Sequence, residues 1–230
     1  NAHAYIGDPE QPQAELAQAL LRPDFVGARA ASLDMNRAAA WTPQPLPGSS
    51  TVYLCAADAE GHMVSYIQSN YEGFGSGVVV PGTGIALQNR GAGFVLTPGH
   101  PNEYAPAKRP YHTIIPGFLT RHGSPVAAFG VMGGAMQPQG HVQVVVRLVD
   151  QQLNPQSAVD APRWQVLESG ELALEPGFPQ ATVDALAARG HRIAAASPAP
   201  FFGGSQMVWR LDAGYAAASD PRRDGQAAGF

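Results

Sequence analysis

Thr51 stands at the mouth of a strand-like run, TVYLCAAD (51–58), directly after WTPQPLPGSS (41–50), a loose stretch with three prolines. A threonine hydroxyl is a weak nucleophile unless a neighbouring group takes its proton. No side chain close to it in sequence has the character of a base. Breaking the Ser50–Thr51 bond would supply one, because the new α-amino group has a pKa of about 8 against about 10.4 for lysine. A useful fraction is then neutral near neutral pH, and one residue carries both nucleophile and base. The flexible segment before Thr51 would let its hydroxyl reach the peptide bond behind it. Threonine is also a common strand residue, so this stretch alone leaves both readings open.

Other chemistries find little support. GFGSGV (73–78) and GGSQM (203–207) lack the G-x-S-x-G spacing of a strained nucleophile turn. No P-loop occurs, and the glycines at 73, 75 and 77 miss the dinucleotide-binding spacing. The 7 histidines never fall at i, i+4 on one expected helix or beside a cysteine pair, so no metal site is expected. The single cysteine, Cys55, rules out an internal disulfide framework and reads as a packing residue of the first strand. A net charge of −4 without any basic run argues against nucleic acid and anionic membrane as partners. No apolar run approaches the roughly 18 residues of a membrane span.

The elements that must position Thr51 follow from periodicity and punctuation. Residues 12–21 and 28–39 carry short helical patterns, and 41–50 is the best linker. Residues 51–58 and 63–70 form an expected hairpin around Glu60-Gly61. A plain count across that turn sets Asn70 opposite Thr51. Glycine-punctuated strands are expected at 78–80 and 85–89, and buried strands at 112–120 and 125–132. Length and position favour a buried helix over 142–152, and 179–190 is a clear helix with Gly190 at its C-terminal end. Strands near 192–196 and 205–211 complete an α+β pattern of sheet layers covered by helices. Asn1 and the residues after it show neither an initiator Met nor a signal-peptide pattern, so the chain reads as the interior of a longer product. The compartment, cytoplasmic or periplasmic, stays open.

The order of segments resembles the γ-glutamyltransferase family of N-terminal nucleophile hydrolases over essentially the whole chain. The resemblance rests on YIGDP (5–9), STVYLCAADAEGHMVSYIQS (50–69), GFGSG (73–77), PGTGIALQNR (81–90), KRPYHTIIP (108–116), GVMGGAMQPQGH (130–141), DAPRW (160–164) and ASDPRRDGQAAGF (218–230). It implies a four-layer αββα sandwich made as one precursor that cuts itself in two. Residues 1–50 would be the tail of the large subunit with its linker, and 51–230 the small subunit, partnered by the large one. Thr51 takes the nucleophile's place and Ser50 the last position before the cut. Ser69 takes that of a second hydroxyl bonded to the nucleophile; a bulge in the hairpin would reconcile this with the plain count. Gly133 and Gly134 match a glycine pair whose N–H groups hold the oxyanion. His112 and Thr113 match two serines that hold the substrate's α-carboxylate. Neither metal nor organic cofactor is implied.

Three positions depart from the family pattern. Where the family reads a free α-amino group with an acid, an amide and an asparagine, this sequence has Gly93, Arg90 and Tyr71. Arg90 would repel an ammonium and suits a carboxylate. The resemblance therefore implies an amidase or acyltransferase acting on a γ-glutamyl or related carboxylated acyl amide. A glutaryl- or cephalosporin-type acylase without transferase activity, or an unprocessed non-catalytic member, are the alternatives.

Overall fold

The computed structural model describes residues 22–24, 27, 51–94, 96–98, 103–107, 110, 115–167, 169–195 and 202–230. The chain divides into two compact units, Asn1–Leu46 and Pro47–Phe230. The helical patterns expected at 12–21 and 28–39 lie outside the described residues.

Alternation of apolar and small polar residues builds the first hairpin, β1 (Val52–Ala57) and β2 (Met63–Gln68). Their register, Val52 opposite Gln68 through Ala57 opposite Met63, continues to place Ser69 rather than Asn70 opposite Thr51. The plain count is one residue off because the turn holds an odd number of residues. Asp58 N–H donates to His62 O at 3.1 Å, Gly61 N–H donates to Asp58 O at 3.1 Å, and Gly61 takes φ of 90°. This is a three-residue loop closed by a glycine bulge. The Asp58 carboxylate braces it, accepting from the His62 N–H and lying 2.9 Å from His62 Nδ1; that bond holds the Asp58 carboxyl below its ordinary range.

The main sheet orders β3 (Gly117–Arg121), β4 (Ser124–Met132), β7 (Gly204–Arg210) and β8 (Tyr215–Ser219) as β3-β4-β7-β8, all antiparallel. β3 and β4 join through His122 and Gly123, both with positive φ, as a two-residue hairpin turn requires. A second two-stranded sheet pairs β5 (Trp164–Val166) with β6 (Leu172–Leu174). Three helices follow among the described residues: α1 (Met136–Val149), α2 (Pro155–Asp160) and α3 (Gln180–Ala188).

Strand alternation divides the main sheet into two faces. Phe129, Val131 and Met207 point to one face and form the core with Val144 and Leu148 of α1 and Val159 of α2. Gly140 lets α1 sit directly on Val131, since a side chain there would strike it. Gly130 points to the other face, where the Tyr53 ring fills the space a Cβ would need. The β1–β2 hairpin therefore covers the face opposite the helices, giving three layers among the described residues: hairpin, sheet, helices.

Several expectations need correcting. Residues 78–80 and 85–89 meet in a single bridge, Val79 to Ala86, because positive-φ glycines at 82 and 84 curl the chain between them. The strand expected at 192–196 is likewise one bridge, Ile193 to Leu172. β3 begins at Gly117, and residues 111–114 of the expected 112–120 strand lie outside the described residues. β8 was not foreseen: its YAAAS sequence has little strand propensity and pairs because β7 leaves an edge open. α2 was missed despite a readable start, Asn154 capping the Ser157 N–H and Pro155 opening the helix.

Two quoted motifs turn out to be ties between layers. DAPRW and SDPRRDG meet in a buried ionic cluster: Arg163 Nη2 lies 2.5 Å from Asp220 Oδ2, and both side chains are fully buried. Arg222 grips Glu175 with two bonds of 2.6 Å and reaches Asp220 Oδ1 at 3.0 Å. Burial pulls Arg163 below its ordinary pKa, partly offset by Asp220. In MQPQGHVQ, Gln139 bonds the N–H and C=O of Val166, and Gln143 those of Trp164. Two glutamines one helical turn apart thus act as the missing neighbour of β5.

Candidate active site

Thr51 is only 7% exposed. Its Oγ1 donates to Ser69 Oγ at 3.0 Å, and Ser69 Oγ also accepts the Tyr71 N–H at 2.9 Å. The odd-numbered turn thus brings two hydroxyls face to face. Tyr53, on the same side of β1, shares a 2.7 Å bond with Ser65, which donates to the Gly117 carbonyl at 2.7 Å. These polar bonds seat the hairpin on β3 and β4; burial pushes the Tyr53 phenol well above its ordinary pKa.

A cavity of about 430 Å³ lies beside Thr51, bounded by β1, the hairpin-facing side of β7 and β8, and the C-terminal segment. Tyr53, Cys55, Met132, Gln206 and Arg223 are among its walls. Met132 immediately precedes the glycine pair, so the strand that carries Gly133 and Gly134 ends at this cavity. Gly133 has φ of 138° and Gly134 φ of 57°. Their carbonyls accept the N–H groups of Met136 and Gln137 and turn the chain into α1. Among the described residues neither glycine N–H has a backbone acceptor. Donors without internal partners at a helix start suit a developing negative charge.

Gly203 is a neighbour of the candidate glycine pair that sequence reasoning passed over. It sits against Gly133, with the two backbones too close for a side chain at either, and a Cβ on Gly203 would strike the Met132 carbonyl. FFGGSQM was readable only as a failed nucleophile motif; nothing in it announces a partner 70 residues earlier. The C-terminal segment was likewise quoted without a role and forms one wall of the cavity.

Tyr71 follows Ser69 closely and carries Arg90, whose Cζ lies 5.2 Å from the ring centroid. Gly93 ends the 3-10 turn Arg90–Gly93. Ser50, His112 and Thr113 lie outside the described residues. Cys55 lines the cavity, but burial pushes its thiol up to about 11, which leaves it a poor nucleophile. Among the described residues, Asp58, Glu60 and His62 bring three potential ligand atoms within 4.8 Å. They serve the exposed hairpin turn, at the other end of β1 from Thr51.

The family model for gamma-glutamyltranspeptidase matches residues 1–230. The chain belongs to the gamma-glutamyltranspeptidase family. Within it, the chain is 37% identical over 234 residues to the oxamate amidohydrolase proenzyme of Klebsiella pneumoniae, covering 99% of this chain and 44% of that protein. It is 37% identical over 190 residues to the glutathione hydrolase-like YwrD proenzyme of Bacillus subtilis, covering 80% of this chain and 36% of that protein. The crystal structure of a cephalosporin acylase from Bacillus halodurans superposes with a TM-score of 0.74 at 51% identity, covering 92% of this chain and 39% of the other. The chain therefore spans less than half the length of these family members. No helix among the described residues is long and apolar enough to cross a membrane.

Proposed function

We propose that this chain is the C-terminal part of a self-cleaving amide hydrolase or acyltransferase whose nucleophile is Thr51. The observation that carries the reading is the buried Thr51–Ser69 hydroxyl pair at the mouth of β1, beside a cavity. In the precursor, Thr51 Oγ attacks the Ser50 carbonyl carbon, the C–N bond breaks, and the nitrogen leaves as the Thr51 amine. Water then hydrolyses the ester, giving a Ser50 carboxylate and a free Thr51 hydroxyl.

In the mature protein the same oxygen attacks a substrate amide while the α-amine takes and returns the proton. The Gly133 and Gly134 N–H groups receive the oxyanion, and the acyl-Thr51 ester passes to water or to an amine. Each such donor typically contributes about 2.7–4 kcal/mol to lowering the barrier. The acyl group is a γ-glutamyl or related carboxylated one, with His112 and Thr113 among its contacts. The upstream part of the precursor, ending in residues 1–50, acts as a large subunit. With it the fold would be a four-layer αββα sandwich; the exposed outer face of the hairpin, with Val52 62% and Val64 51% exposed, supports a further layer. An acylase without transferase activity is the second reading, favoured by the 51% identity to a cephalosporin acylase.

Full-length precursor on a denaturing gel, with N-terminal sequencing of the smaller band, tests the proposal. Two bands, the smaller beginning at Thr51, are expected, and Thr51→Ala should leave one band and no amide turnover. A processed, active Thr51→Ala protein overturns the reading. A single inert band from the wild type would instead mark a non-catalytic member.

A further inference from the structure

We propose that Gly203 and Met136 are positioning residues, holding the Met132–Gly133 peptide from the core side so that the Gly133 N–H meets the oxyanion. This rests on the Thr51 reading, with Gly133 as an oxyanion donor, and adds the groups that aim that donor.

The Met132–Gly133 peptide lies between the core and the cavity. Met132 lines the cavity, and Val131 before it packs in the core. β4 and β7 stay in register as far as Met132 opposite Gly204, which sets Gly133 beside Gly203 at the end of the ladder. A Cβ on Gly133 would lie 2.9 Å from Gly203 Cα and 3.4 Å from Met136 Cβ. A Cβ on Gly203 would strike the Met132 carbonyl oxygen, and would lie 3.1 Å from Val131 Cγ1 and 3.4 Å from Met136 Cγ. Gly203 takes φ of 77°, so both conformation and space call for glycine there. Met136 is fully buried, and its N–H donates to Gly133 O at 3.1 Å. The segment around Gly203 has little room to yield. Phe202 O accepts from Arg163 Nη1 at 3.1 Å, and the Ser205 N–H donates to Asp220 Oδ2 at 2.8 Å.

Peptide planarity turns these contacts into control of a donor. The Met132 carbonyl and the Gly133 N–H belong to one rigid plane, so a group that sets the oxygen also sets the hydrogen. An oxyanion donor is effective only where it lies about 2.7–3.1 Å from the developing charge. Gly203 sets the carbonyl end of that plane, and Gly203 with Met136 sets the Gly133 end. Neither residue has to touch the substrate, because the effect passes through the peptide. Such a donor acts on the tetrahedral state more than on the bound amide. Turning it away therefore lowers kcat rather than raising KM.

The test measures kcat and KM of the processed full-length protein with γ-glutamyl- and glutaryl-p-nitroanilide, using whichever it turns over. Gly203→Ala should lower kcat by about ten- to a hundred-fold with KM within about three-fold of the wild type, the scale of a misplaced catalytic group. Met136→Ala removes support without adding a clash and should lower kcat by about three- to ten-fold, a smaller misplacement. Met136→Leu keeps the volume and should restore most of that loss. A crystal structure of Gly203→Ala should show the Met132–Gly133 peptide turned from its wild-type orientation. An unmoved peptide, an unchanged kcat in both Gly203→Ala and Met136→Ala, or a loss confined to KM overturns the proposal. If Gly203→Ala does not accumulate as cut, soluble protein, the Met136 variants decide by the same kinetic criterion. Turnover that survives Thr51→Ala would overturn the Thr51 reading instead, and the structure of Gly203→Ala would still report on the peptide.

Discussion

The two faces of the main sheet are made from the same strands and solve different problems. On the helix side, Phe129, Val131 and Met207 close against α1 and α2, and the Arg163–Asp220–Arg222–Glu175 cluster ties the C-terminal segment to that core. On the hairpin side stand a glycine under Tyr53, hydroxyls in contact and a cavity. The residue that changes face is only one position along: Val131 packs, Gly130 yields. The helix side has a closed core beneath α1 and α2, while the outer face of α1 leaves Val142 57%, Val146 37% and Val149 47% exposed. The hairpin side ends in an apolar outer surface, with Leu54 47% and Tyr66 46% exposed. Contiguous apolar exposure of this kind is the sort of surface that a partner or a further layer covers. The buried ionic and apolar ties thus gather on one face and the candidate site on the other, and the two should respond separately to mutation.

The largest effect should come from the helix side. Asp220 accepts from Arg163 Nη2, the Ser205 N–H, the Arg222 N–H and Arg222 Nη1. Asp220→Ala leaves two guanidinium groups without it, one of them fully buried, and should cost about 3–5 kcal/mol. Urea unfolding of the full-length protein should show this loss, or the variant should fail to accumulate in soluble form. A midpoint within experimental error of the wild type would remove the contrast between the faces.

How much of this was legible depended on whether the signal was local. The hairpin, β4 and α3 follow from alternation, a buried apolar run and a C-terminal glycine, and Gly190 does take φ of 92° after α3; α1 was expected over 142–152 but spans Met136–Val149, its first turns hidden by a proline and a glycine in MQPQGH. The Thr51–Ser69 pairing was not readable by counting, because the count cannot see that the Gly61 bulge makes the loop odd. β8 and the β5–β6 pair are short and owe their form to neighbours far away in sequence. The role of Gly203 is a contact with Gly133, and no spacing within FFGGSQM encodes it. The ionic cluster joins three separate segments, so each motif looked like a string of charges next to prolines. The segment KRPYHTIIP was quoted for two candidate contacts, and both lie outside the described residues.

A smaller effect, of a different kind, is expected on the hairpin side. Ser69→Ala removes the acceptor of the Thr51 hydroxyl and of the Tyr71 N–H. A neutral hydrogen bond contributes about 0.5–1.5 kcal/mol net, so kcat/KM should fall by up to about ten-fold, with self-scission slowed alongside. The urea midpoint should move far less than in Asp220→Ala. Ser69→Thr, which keeps the hydroxyl, should recover most of the rate. Large destabilisation by Ser69→Ala without a rate defect would show that the hydroxyl pair is a structural tie.

The smallest effect tests the helix side by pH. His141 on α1 lies edge-on to Phe129, with ring centroids 5.2 Å apart, and its Nε2 has no hydrogen-bond partner. Burial alone lowers its pKa from 6.5 to about 4. Between these values the unfolded chain binds a proton that the folded one refuses, so stability is fully present above about pH 6.5 and declines as pH falls toward 4. The slope cannot exceed about 1.4 kcal/mol per pH unit, and partial solvent access of the imidazole makes it smaller. Thermal unfolding of the full-length protein at pH 7.5, 6.5, 5.5 and 4.5 (chosen to span the window) should therefore show a decline that His141→Leu flattens. The lost imidazole has no hydrogen bond to break at Nε2, so the variant should match or exceed the wild type at the acid end. Parallel curves would mean that the ring gains a proton acceptor on acidification, and the helix face would then respond to pH through its carboxylates instead.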